Sequence, residues 1–371
     1  MLSVDRSVKT RISDNRENLV GFLILSKIYL LMAFYCDNYN ARSLLIIIGD
    51  ELSREFAMTT PKFASLNGEI VEWDKAQVHV ASAGFKFGTA VFEGLRGYWN
   101  KSNEEMYLFR MEEHMRRLEF SQRFMRFSEL LTGESITQQT VELIKANNFR
   151  GENLHIMTTV FVSGMGGPGV CGPIGLSITA QERPRSERVL GGVTAQVSSW
   201  MRVPDQAMPM RVKCNANYNN GRLATVQAEA DGYDTAIFLN SRGKVSEGPG
   251  MCFFIVRDGI PITPSISNDI LESVTRDAIL RIIKDHFNVE PVERDIDRSE
   301  LSLADEAFFC GTAWEVTPIL SIDRSNIGTG MIGNMTKSIQ EKFFSICDGT
   351  DECYPEWRYA VYSGETRKAA E

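Results

Sequence analysis

Between Thr235 and Thr263 the chain reads TAIFL, a Ser241-Arg242-Gly243 turn, KVSEG, then MCFFIV, an Asp258-Gly259 turn and IPIT. Short β-branched and aromatic runs punctuated by glycine turns fold back on themselves, so this stretch reads as a β-meander. A helix follows it. Ser273 is a suitable N-cap, and VTRDAILRIIKDHF then sets Ile279, Ile282, Ile283 and Phe287 on one apolar stripe.

The upstream half has the same mixed character. LNGEIVEW (Leu66 to Trp73) places an Asn-Gly turn between alternating apolar residues, a hairpin signal. His114 to Phe127 (HMRRLEFSQRFMRF) reads as an amphipathic helix, with Met115, Leu118, Phe124 and Met125 available for its buried face. Ile156 to Val162 (IMTTVFV) reads as a strand, ended by the glycine-rich bend Gly164 to Gly169. Glu182 to Arg188 (ERPRSER) lacks large apolar groups and is the best linker in the chain. Arg222 to Asp231 has high helix propensity and stops at Gly232. The reading is therefore a domain over 58–181, a linker over 182–191, a second domain over 192–362 and a polar tail over 363–371.

Residues 1–57 stand apart. Leu19 to Tyr35 is apolar behind Lys9, Arg11 and Arg16, but Lys27 interrupts it and no A-x-A cleavage site follows before Asp37. The segment reads as an extension outside the fold, with membrane contact expected only if that extension is real. A net charge of −8 and no run of Lys or Arg argue against a nucleic-acid partner, whose phosphates need a concentrated basic face. Seven scattered cysteines without a C-x-x-C pair indicate neither a disulfide framework nor a zinc site. Four isolated histidines read as packing or surface residues, so no metal is expected. Small molecules are the expected partners.

Six segments, in order, carry a more specific message: FGTAVFEGLRGY (Phe87 to Tyr98), HMRRL (His114 to Leu118), KCNANYNNGRLA (Lys213 to Ala224), GYDTAIFLNSRGKVSEGPG (Gly232 to Gly250), SVTRDAI (Ser273 to Ile279) and GTAWEVTP (Gly311 to Pro318). Together they resemble the fold-type IV pyridoxal-phosphate enzymes, most closely the branched-chain amino acid aminotransferases. The resemblance implies an α/β (α+β) architecture of two domains, a small N-terminal α/β domain and a larger β-rich domain, with pyridoxal 5'-phosphate held between them. It also implies a homodimer or higher homo-oligomer, and a cytoplasmic enzyme is expected.

Residue by residue, Lys213 matches the lysine that holds the cofactor aldehyde as a Schiff base and shuttles the proton during catalysis. Tyr218 matches the tyrosine at the cofactor's 3′ oxygen. Glu247 matches the carboxylate facing the protonated ring nitrogen, although Pro249 and Cys252 depart from the usual E-G-[SA]-G-x-N continuation. Arg117 matches the phosphate arginine, with Arg116 next in line. Val274, Thr275 and Thr312 match further phosphate contacts at a helix start and a G-T-A loop. The implied activity is transfer of an amino group between a branched-chain or related amino acid and a 2-oxo acid.

The substrate side fits the family less well. Met157 stands where members carry an arginine for a second carboxylate, and Phe87 stands where they favour a tyrosine. Phe92, Gly94, Val170 and Ala313 keep part of the apolar wall. A carboxylate still needs a cation, so Arg183, Arg185 or Arg188 of the linker is expected to replace the missing guanidinium. The alternative on this scaffold is a D-amino acid or amine transaminase, or an aminodeoxychorismate lyase.

Overall fold

The computed structural model describes residues 60–363. The apolar N-terminal stretch and most of the polar tail lie outside those residues. Among the described residues no helix is long and apolar enough to cross a membrane.

Seven strands form an antiparallel first sheet: β1 (Phe63–Leu66), β2 (Glu69–Glu72), β3 (Ala90–Asn100), β4 (Glu105–Phe109), β5 (Leu154–Val162), β6 (Ile174–Glu182) and, from the far end of the chain, β15 (Arg358–Ala360). Their order is β15-β4-β3-β5-β6-β1-β2. The Asn-Gly hairpin is present as β1 and β2, with Asn67 and Gly68 both at positive φ. β15 lies within the segment expected to form the second domain, yet it pairs with β4 of the first sheet. The sheet is covered on one face by α2 (Met111–Phe124) and α3 (Gly133–Ala146), and α1 (Ala83–Phe87) sits between β2 and β3 in sequence. Leu95, Ile156 and Ile178 point to these helices and meet Leu118 and Leu143 in one core. Met115 and Leu118 are buried as the periodicity predicts, but Phe124 is 51% exposed. Six residues separate it from Leu118, a rotation of about 600°, which carries it off the buried stripe.

The second sheet contains β7 (Val193–Val197), β8 (Thr235–Ile237), β9 (Cys252–Arg257), β10 (Ile260–Thr263), β11 (Val292–Glu293), β12 (Glu306–Gly311), β13 (Glu315–Ile322) and β14 (Ser325–Asn326). The spatial order is β11-β10-β9-β12-β13-β7-β8, with β14 on β13. The meander is only partly realised. β9 and β10 form the expected hairpin, whereas TAIFL contributes β8, which runs parallel to β7. KVSEG contributes only isolated bridges, Val245 to Leu239 and Lys244 to Asp297. Sheet two is buried on both faces, Phe254 and Phe308 on one and Phe253 and Phe309 on the other, which is why MCFFIV reads as an unbroken apolar run.

Helices α4 (Glu187–Gly191), α5 (Tyr218–Ala230), α6 (Val274–Phe287) and α7 (Asn334–Asp348) complete the fold. α6 starts where expected, its cap Ser273 accepting from the Arg276 N–H. Its Ile279, Ile282 and Ile283 pack with Phe343 of α7 and with Tyr98 and Phe109 of the first sheet. One core therefore reaches into both sheets.

Candidate active site

A cavity of ≈ 410 Å³ gathers most of the residues singled out from the sequence. Lys213, Tyr218, Glu247, Arg117 and Thr312 line it, as do Phe92, Gly94, Met157 and Ala313. Four do not. Val274 and Thr275 are the first residues of α6, whose cap Ser273 does line the cavity. Phe87 ends α1 and is 40% exposed, and Val170 packs against the first core.

Lys213 lies in an irregular segment stitched to β3. Its carbonyl accepts from the Phe92 N–H at 2.9 Å, and Cys214 bridges to Val91. Its Nζ hydrogen-bonds the Tyr218 hydroxyl and stands 4.5 Å from the Phe92 ring centroid. Tyr218 begins α5 after a 3-10 turn over Asn215–Asn217, which Asn217 ties down by donating to the Pro209 and Val212 carbonyls. Further along α5, Gly221 is required by close approach, since a Cβ there would sit 2.5 Å from the Pro249 carbonyl oxygen. Helix α5 can thus lie directly on the loop that follows Glu247.

Glu247 is delivered by the short TAIFL–KVSEG hairpin, in which its carbonyl accepts from the Phe238 N–H at 2.9 Å. One carboxylate oxygen accepts from Arg202 Nη2 at 2.5 Å, and the other from the Leu271 N–H at 3.2 Å. Burial pushes the Glu247 carboxyl above its ordinary range, while the Arg202 guanidinium pulls the other way. The Cys252 thiol lies 3.7 Å from Glu247 and is pushed up to about 12 by burial and by that carboxylate. Arg202 is therefore the brace. Replacing it with methionine strands a buried carboxylate, and the expected cost is about 3 to 5 kcal/mol in denaturant unfolding, with Arg202→Lys recovering part of it. A loss within ~0.5 kcal/mol would show that the pair does not hold the loop.

Arg117, on α2, donates Nε and Nη2 to the two oxygens of Glu93 at 2.7 Å each and Nη1 to the Glu272 carbonyl at 2.7 Å. A guanidinium has five N–H groups, so two remain for an anion in the cavity. Arg116 faces solvent instead, paired with Glu112 at 2.6 Å. Glu93 on β3 is fully buried and also meets His114 Nδ1 at 2.7 Å. Burial alone would raise its carboxyl, but Arg117 and His114 outweigh it and hold it at about 2. The first N–H groups of α6 have no acceptor within the helix and offer further anion donors.

Sequence reasoning missed Arg202, Glu93, His114 and His155. The histidines read as packing residues; His114 is buried against Glu93, but His155 lines the cavity. Burial, with Arg183, Arg96 and Lys213 beyond, holds the His155 imidazole down at about 4. The signal was its two-residue spacing from Met157, which puts both on one face of β5. For Arg202 no local pattern could have served, because it lies 45 residues from Glu247.

The model of the family described as amino-transferase class IV matches residues 90–322. The chain is 38% identical over 307 residues to a probable branched-chain-amino-acid aminotransferase of Aquifex aeolicus, covering 81% of this chain and 97% of that one. It resembles the PLP-form crystal structure of the branched-chain amino acid aminotransferase of Thermobaculum terrenum with a TM-score of 0.76 and 41% identity, over 81% of this chain and 98% of that one. It is also similar, at a TM-score of 0.76 and 34% identity over 81% and 100% of the two chains, to the crystal structure of the Escherichia coli branched-chain amino acid aminotransferase. Matched over more than half its length and carrying the site just described, the chain belongs to the class IV aminotransferase family.

Proposed function

We propose that this chain is a pyridoxal-phosphate-dependent aminotransferase that moves an amino group between a branched-chain amino acid and a 2-oxo acid. The observation that carries the reading is the Lys213 amine, hydrogen-bonded to Tyr218, in one cavity with Glu247 and Arg117. The cavity residues fit the cofactor: an amine for its aldehyde, a braced carboxylate for its ring nitrogen, and two uncommitted guanidinium N–H groups for its phosphate. Thr312 and the first turn of α6 add phosphate donors beside Arg117. When bound, pyridoxal phosphate supplies an electrophilic carbon and a ring that draws electrons from the substrate's Cα. Lys213 Nζ takes the Cα proton as general base and returns a proton as general acid. Tyr218 orients that amine, and Arg202 holds Glu247 in place. Phe92, Gly94, Met157 and Ala313 form the wall for an apolar side chain.

The relatives are named for branched-chain substrates, which does not favour the D-amino acid, amine or lyase alternative. We further propose a homodimer. Phe85 and Met165 are 67% and 61% exposed on neighbouring segments that Ser82 and Met165 bridge, an apolar patch suited to a second copy. The six described cysteines are free, which fits a cytoplasmic location.

The test is a spectroscopically followed half-reaction with L-leucine, L-glutamate, D-alanine and a simple amine. Bleaching of the cofactor band by L-leucine at least ~10-fold faster than by D-alanine or the amine is expected. Preference for D-alanine or the amine would overturn the substrate reading.

A further inference from the structure

We infer that Glu315 is a positioning residue: held between Arg96 of β3 and Arg185 of the linker, its buried carboxylate fixes the turn that brings Thr312, Ala313 and Trp314 to the cavity. The inference rests on the aminotransferase reading of that cavity, in which Thr312 is a donor to the cofactor's phosphate.

The turn joins β12 to β13, and Gly311 stands opposite Glu315 at its foot. Trp314 donates its N–H to the Gly311 carbonyl at 3.1 Å, and the Thr317 hydroxyl donates to the Trp314 carbonyl at 2.5 Å. Closing so short a path places Glu315 at a φ of 48°, in the left-handed region. Glycine adopts that region freely, whereas the Cβ of any other residue crowds the following carbonyl. A glutamate there is strained, and it persists only where its surroundings hold it. The backbone alone would be better served by glycine, so the reason for a glutamate lies in its side chain.

That side chain is 1% exposed, with one carboxylate oxygen 3.4 Å from Arg185 Nε and the other 3.7 Å from Arg96 Nη2. Both arginines are themselves held. Arg96 Nη2 donates to the Arg183 carbonyl at 3.0 Å, and the Arg185 guanidinium lies 3.4 Å from the centroid of the Phe344 ring on α7. A second fastening reaches the same place from α7. Its Gln340 donates Nε2 to the Val189 carbonyl of α4 at 2.6 Å and to the Val316 carbonyl of β13 at 2.8 Å. The linker is thus joined twice to the foot of the turn, and Arg185 serves that turn without lining the cavity. Swinging Glu315 away would leave the buried Arg96 without its carboxylate, so the interior resists the movement. Groups that recognise a ligand must be held to within about 0.5 Å, and Thr312 stands three residues from this anchor.

The experiment titrates the full-length protein with pyridoxal 5'-phosphate and with pyridoxal, which lacks the phosphate, and follows the visible absorption. Wild type is compared with Glu315→Gln, Glu315→Gly, Arg185→Met, Arg185→Lys and Arg298→Met, the last of which breaks an exposed pair with Asp323 just past the far end of β13. Glu315→Gln is expected to raise the Kd for the phosphorylated ligand about tenfold and that for pyridoxal by no more than about twofold. Arg185→Met should move the same way by about threefold, and it covers the case in which Glu315→Gln does not fold. Arg185→Lys should recover part of that loss, and Arg298→Met should leave the ratio of the two constants unchanged. Glu315→Gly relieves the backbone, so it should melt no lower than Glu315→Gln yet show the same loss for the phosphorylated ligand. Equal losses for both ligands, unchanged constants in Glu315→Gln and Arg185→Met, or a ratio that follows melting temperature across the series would overturn the positioning role. A wild type that gives no visible band with either ligand would instead overturn the aminotransferase reading.

Discussion

Lys213→Ala is expected to lower turnover at least ~1,000-fold and to remove the visible absorption that added pyridoxal phosphate gives the wild-type protein. Positioned general acid–base groups alone contribute about 100- to 10,000-fold, and this amine is asked both to hold the cofactor and to move the proton. The neighbourhood offers no substitute. Arg117 is committed to Glu93 and Glu272, Arg202 to Glu247, and the imidazole held at about 4 is a poor base at neutral pH. Tyr218, the residue in hydrogen-bond contact with Nζ, would keep its place on α5. The variant should therefore fold normally, which circular dichroism would check. An intact absorption band in a folded Lys213→Ala protein would reject the assignment.

The second large effect concerns Glu93. Glu93→Leu leaves Arg117 and His114 buried without their carboxylate, for an expected loss of about 3 to 5 kcal/mol. The same residue predicts a pH dependence. Its folded-state pKa lies at about 2, below the ordinary 4.5, so its stabilisation is fully present above pH 4.5 and is lost as pH falls toward 2. A difference of about 2.5 units corresponds to about 3 kcal/mol. Denaturant unfolding from pH 7 down to 3 should show wild type losing stability more steeply than the variant across that window. Glu93→Gln, which keeps the shape and one acceptor, covers the case in which the leucine variant does not fold. Identical acid limbs in wild type and both variants would remove Glu93 from the account.

What could be read from the chain divides along the range of the interaction. Helix α6 and the hairpin of β1 and β2 are written locally, in a serine cap ahead of an isoleucine stripe and in an Asn-Gly turn. The resemblance located the nine cavity residues, and geometry separated Arg117 from Arg116, which adjacent positions in the chain could not. Partners distant in sequence left no trace: Glu93 finds Arg117 24 residues away, and Glu247 finds Arg202 45 residues away. Such pairs are created by strands crossing, and neither periodicity nor composition encodes them. The linker is the intermediate case. Its arginines were visible as a group, but their partners were not: Arg185 meets Glu315, 130 residues away, and none of the three lines the cavity.

The hydrogen bond from the Phe92 N–H to the Lys213 carbonyl has a mechanical consequence. The segment bearing Lys213 is moored to a strand that carries Phe92 and Gly94 of the proposed substrate wall, and the same strand carries Glu93, which anchors Arg117, the proposed anion donor. A single rod, β3, thereby gauges three separations at once: Lys213 amine to cavity wall, wall to Arg117 guanidinium, and guanidinium to amine. Any shift of that rod along its own axis changes all of them together, so alignment here is preserved or lost as a set.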